Sequence, residues 1–214
     1  MELKLLTHVD FRDKILKVVG SLAKLTAQIA EPGRAKDTAA LAVELGRVRK
    51  WIKFLRILRT IRNFPAAVTS EKTALSVKME AVADVVQMVS EDLHTLNRSG
   101  VWSGLLGLEK IPGLAEFEDQ AWFLWSSIAA FNAGVELRAA LAAASGEKAG
   151  EAEKARALAA TLALLKFSCE VGDSLIALTP AQAKKGRERQ FVFLSAALGS
   201  VSALCSIHKF VTSS

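Results

Sequence analysis

The sequence predicts an all-α protein, a membrane-associated bundle of about six helices with one or two candidate transmembrane segments. Three observations predict it. Apolar residues recur at three- and four-residue spacing along most of the 214-residue chain, as on helix faces. No stretch shows two-residue alternation over several strands. Hydrophobic residues make up 51% of the chain and mean hydropathy is +0.27, more apolar than a soluble domain of this size.

The first helix is expected over residues 10–30. Ile15, Val18, Leu22, Leu25 and Ile29 are spaced three and four, a seven-residue repeat suited to a packing seam. Glu31-Pro32-Gly33 stops it. A second helix is expected from Asp37 or Thr38 to Asn63, before Pro65. A third begins at Ser70, a good N-cap. It carries Leu75, Met79, Val82, Val86, Val89, Leu93 and Leu96 in an unbroken seven-residue period. That row is expected to be buried against the row of the first helix. Residues 1–99 therefore form an N-terminal amphipathic helical region, and residues 100–114 a Gly-rich loop. Residues 115–214 form a C-terminal helical region. Its helices are expected over residues 116–144, from the turn Ser145-Gly146-Glu147-Lys148-Ala149-Gly150 to about residue 178, and over residues 190–211.

Two stretches of the C-terminal region are candidate spans. Residues 191–207 are free of ionisable side chains, preceded by Lys184, Lys185, Arg187 and Arg189 and followed by Lys209. Ser195, Gly199 and Ala203 form a small-xxx-small row for close helix packing. Residues 121–135 are shorter, with Trp122 and Trp125 at their start, as at an interface. Extending that stretch takes in Glu136 and Arg138, each costing about 2.5–3.5 kcal/mol at the bilayer centre. Between the two candidates, Lys166, Glu170 and Asp173 share one helix face. That face must meet protein or water and is a candidate polar pore face.

Charge is +6, and its most distinctive part is the acid-free segment of residues 47–62. Arg47, Lys50, Lys53, Arg56, Arg59 and Arg62 recur every third residue, joined by Arg49, with Trp51, Phe54, Leu55 and Leu58 in the gaps. The pattern suits a basic amphipathic helix lying on anionic phospholipid. A voltage sensor would need companion spans upstream, and residues 1–46 offer none. Nucleic-acid binding is disfavoured, because large apolar residues rather than polar ones separate the cations. A solvated basic face on an ordinary bundle helix stays open.

Enzymatic constellations fail. His8, His94 and His208 have no metal-ligand spacing, and the glycines after Asn97 lack the Lys-Ser or Lys-Thr of a phosphate loop. Glu116, Glu118 and Asp119 read as a helix N-terminus. No cofactor, no metal and no catalytic residue is expected. Cys169 and Cys205 sit in apolar runs and read as buried free thiols. Residues 1–14 carry Glu2, Lys4, Asp10, Arg12 and Asp13, which leaves no room for a signal-peptide core, so synthesis in the cytosol is expected.

Five segments in order carry a family resemblance. They are Phe11-Arg12-Asp13-Lys14-Ile15; Val48-Arg49-Lys50-Trp51-Ile52-Lys53-Phe54-Leu55-Arg56; Asp92-Leu93-His94-Thr95-Leu96-Asn97-Arg98-Ser99-Gly100; Lys166-Phe167-Ser168-Cys169-Glu170; and Gly199-Ser200-Val201-Ser202-Ala203-Leu204. Over nearly its full length the chain resembles the peroxisomal membrane proteins of the peroxin-eleven family, glycosomal relatives included. Phe11 departs from the family's glycine. The resemblance implies a peroxisomal or related microbody membrane, homo-oligomers, contact with dynamin-like fission machinery, and a basic segment inserted in the cytosolic leaflet. It implies that the protein curves its membrane to promote organelle elongation, proliferation and fission. A channel or metabolite pore is the alternative, and a soluble helical adaptor the second. Family members carry both termini in the cytosol, whereas the cations before Phe191 would send this C-terminus inward.

Overall fold

The computed structural model describes residues 9–54, 57–71, 73–100, 104, 109–146 and 150–212, and the side chains of all of these except residues 9, 57–59, 62, 63 and 210. Eight helices follow one another among the described residues, with no strand. They are α1 (Val9–Ile29), α2 (Pro32–Lys53), α3 (Ile57–Thr69), α4 (Leu75–Ser99), α5 (Leu114–Ala144), α6 (Glu151–Leu178), the single turn α7 (Ala181–Lys184) and α8 (Glu188–Thr212). The all-α expectation holds.

Several boundaries differ from the sequence reading, each for a local reason. Helix α2 begins at Pro32 rather than at Asp37 or Thr38, because the fixed φ of proline suits the first helical position. The second expected helix is two helices. Phe54 is extended (φ −52°, ψ 137°) and ends α2 within the basic segment. Pro65, expected to end a helix, lies inside α3. It is exposed, and the Thr69 hydroxyl donates to its carbonyl at 2.7 Å. Ser70 is not a cap, since α4 begins five residues later. Gly100, at φ +79°, ends α4 in the left-handed conformation that glycine adopts freely.

The long helices form a ring. In order of contact α2 lies against α1, α1 against α8, α8 against α6, α6 against α5, and α5 against α4. A lighter contact between α4 and α2 closes it, and α3 packs outside on α4. The N-terminal region thus meets the C-terminal region twice, at α1–α8 and at α4–α5.

The expected seam between the first and third helices is not formed. Helix α1 packs on α2 and α8, and α4 packs mainly on α5 and α3. Leu22 is 53% exposed and Val86 37%. Ile15, Val19 and Ile29 on α1 also face outward, with Leu75, Met79, Val82 and Val89 on α4. The interior holds what a water-soluble core avoids: Asp13, Ser90, Ser126 and Ser202 are the largest fully buried side chains. The reason is steric as well as chemical. Ala42, Ala83, Ala129, Ala133, Ala140, Ala157 and Ala203 line the contacts and let helix axes approach, which turns the larger apolar rows outward.

Among the described residues one helix is long and apolar enough to cross a membrane, Glu188–Lys209 in α8. Its 22 residues reach about 33 Å at 1.5 Å per residue, against a hydrocarbon core of about 30 Å. The second expected span, residues 121–135, is the middle of the 31-residue α5, which does not meet the same test.

Candidate functional site

The basic segment supplies one side of a charged interior. Helix α2 carries Arg49, Lys50 and Lys53 on the face turned into the ring, and an acid from a different helix meets each. Arg49 Nε donates to Asp13 Oδ1 of α1 at 3.0 Å. Lys50 Nζ donates to both carboxylate oxygens of Glu118 of α5 at 2.8 Å. Glu118 also bonds the His94 ring of α4. Lys53 is buried and paired with buried Glu91 of α4, whose second oxygen accepts from Gln87 Nε2 at 3.1 Å. Lys53 and Gln87 together answer the buried Glu91 carboxylate. Lys53 also lies 5.5 Å from the Trp122 ring centre.

Further round, Lys17 of α1 reaches Glu170 Oε1 of α6 at 3.6 Å. Ser202 Oγ of α8 donates to the same oxygen at 2.7 Å, and Lys17 donates to Ser202 at 3.2 Å. Ser195 Oγ donates to Asp173 Oδ1 at 2.5 Å. On α5, Asn132 Nδ2 donates to Glu80 Oε2 of α4 at 2.6 Å. The ring is therefore cross-linked by polar contacts at nearly every seam.

The residues expected to bind membrane fall into three groups. Arg49, Lys50 and Lys53 face inward, a correction to the lipid-facing expectation. A cation every third residue on a 3.6-residue helix winds around the axis, and three of them reach the side where acids wait. Arg47 and Trp51 are exposed, Arg47 against Glu44 at 2.6 Å and Trp51 edge-on to Phe54 at 5.3 Å between ring centres. Leu55 and Arg56 lie outside the described residues. So do the side chains of Leu58, Arg59 and Arg62, whose backbones belong to α3.

The small row of α8 packs as its spacing suggests. Ala203 is fully buried, and a Cβ at Gly199 would stand 3.1 Å from Ser21 Oγ of α1. The face of Lys166, Glu170 and Asp173 meets protein rather than surroundings: Lys166 Nζ sits 4.0 Å from the Phe167 ring centre and Glu170 is buried. Trp122 and Trp125, expected as interface anchors, are half-buried and pack together, with Trp125 also against Phe167. Cys169 and Cys205 are free and buried.

Sequence reasoning missed the acids that answer the basic segment. Asp13, Glu91 and Glu118 lie 36, 38 and 68 residues from their partners, beyond the reach of any local spacing rule. The available signal was the acid-free run itself, since cations that leave water need acids from elsewhere. No protein-family model matches the chain, and no curated protein or solved structure matches it.

Proposed function

We propose that the chain is a microbody membrane protein that shapes the membrane in which it sits. It is anchored by α8, with the apolar outer faces of its neighbours among acyl chains. The observation that carries this reading is the inverted distribution of polarity: charges and hydroxyls inside, large apolar rows outside. In water each outward valine or leucine forgoes about 1.5–3 kcal/mol of burial. In hydrocarbon it forgoes almost none, while exposed charge becomes expensive. Helix α8 packs along α1 and α6, so the three share depth, and their outward faces suit it. Curvature follows when such a body takes up unequal area in the two leaflets. Trp51 and the part of the basic segment beyond Phe54 supply the headgroup contact.

The resemblance to the peroxin-eleven family supports the organelle, homo-oligomers and a dynamin-like fission partner. The test uses the full chain in vesicles of phosphatidylcholine and phosphatidylserine. Tubules that lengthen with protein density, seen by electron microscopy, are expected. Spherical vesicles at every density would sink the reading, and release of the cellular protein by alkaline carbonate would favour the soluble adaptor.

A second reading, a solute pathway, rests on Glu170, whose Oε2 is buried without a hydrogen bond among the described residues. If reconstituted protein conducts, Glu170→Gln should change its ion selectivity. Unchanged selectivity would leave this face a structural one.

A further inference from the structure

A cavity of about 350 Å³ opens between the end of α1, α2 and the C-terminal half of α4. Six cations line it, Lys24, Arg47, Arg49, Lys50, Lys53 and Arg98, against one acid, Glu91. Four of the six are answered by carboxylates: Arg47 by Glu44, Arg49 by Asp13, Lys50 by Glu118 and Lys53 by Glu91. Lys24 and Arg98 remain, both exposed and neither in an ion pair among the described residues. The walls therefore carry two positive charges in excess. Thr95 and Ser99 also line it, their hydroxyls donating to the Glu91 and Leu96 carbonyls, and Trp51 adds an aromatic edge.

We propose that this cavity binds a phosphomonoester, held between Lys24 and Arg98. The charge balance selects the ligand class. A phosphomonoester carries about −1.5 to −2 at pH 7, which matches the excess, and three oxygens that accept from both side chains. Arginine supplies a planar fork for two of these oxygens and lysine a point charge. The four paired cations keep their carboxylates, and the excess charge comes from Lys24 and Arg98 alone, so the ligand enters without breaking an internal pair. The inference stands apart from the membrane-shaping reading, because it rests on the lining of one cavity and not on curvature. The same chemistry is offered by a phosphatidate headgroup and by a free phosphorylated compound.

Isothermal titration of the full chain in a non-ionic detergent, at low salt, tests it with two probes, inorganic phosphate and dihexanoyl phosphatidate. Lys24→Gln/Arg98→Gln should weaken binding by at least about tenfold, a change of about 1.4 kcal/mol. The thermal midpoint without ligand should not move, as both side chains are exposed. Lys185→Gln/Arg189→Gln removes two exposed cations away from the cavity and should bind as the wild type does. Equal binding of both probes supports the site and points to a free phosphate compound. Phosphatidate binding tenfold or more tighter supports it and points to a lipid headgroup. The proposal is overturned if neither probe binds, if the Lys24/Arg98 variant binds undiminished, or if the remote pair loses binding equally.

Discussion

Lys53 and Glu91 are each stable inside the ring only because the other is there. Removing one partner of a buried pair leaves an uncompensated charge and costs about 3–5 kcal/mol, whereas replacing both with apolar groups of similar size is often neutral. Lys53→Met alone should therefore lower the unfolding midpoint in detergent strongly, and Lys53→Met/Glu91→Met should recover most of the loss. If the double variant is no better than the single, the pair is not an isolated unit. At this scale the sequence disclosed half of each contact. It showed cations that needed explaining, and it hid the acids because three-dimensional neighbours tens of residues apart leave no periodic trace.

Helices were the most legible level, and the direction of their faces the least. The seven-residue row of α4 fixes which side chains share a face. It does not fix whether that face looks inward, because the rule that apolar means buried assumes water outside. On α4 the decisive residues are the ones between the row: Ala83, Gln87, Ser90, Glu91 and Thr95, all buried. Read with the medium left open, small and polar residues at helical spacing mark the packing side. The small row on α8 was readable for that reason. Gly199→Leu should force α8 away from α1, since even a Cβ there stands 3.1 Å from Ser21 Oγ. An overpacking cost of about 1–3 kcal/mol is expected. Leu204→Ala, on the outward face of the same helix at 55% exposure, should change stability by less than about 0.5 kcal/mol in detergent. Equal losses at the two positions would contradict this assignment of faces.

At the scale of the whole molecule, a ring with polar seams and an apolar rim makes a claim about its surroundings that can be measured position by position. Composition and the 191–207 stretch pointed to a membrane, but periodicity placed the apolar rows of α1 and α4 in a core, where Val86→Asp would have buried a charge. With those rows outward, that substitution should be tolerated in folding and penalised in the membrane, by up to about 2.5–3.5 kcal/mol near the bilayer centre. The direct measurement is spin-label accessibility in reconstituted vesicles. With Cys169 and Cys205 replaced by alanine, single labels at Met79, Val82, Val86 and Val89 sample the outward face of α4. A lipid-facing surface gives relaxation by oxygen, which partitions into hydrocarbon, and little by a water-soluble nickel chelate. The expected outcome is oxygen-dominated relaxation at all four sites, with a depth gradient along the row. A label at Arg138, on the charged end of α5, should respond to the nickel chelate instead. Nickel-dominated relaxation along the whole α4 row would mean that this face meets water, and the ring would then be anchored by α8 alone rather than seated in the bilayer.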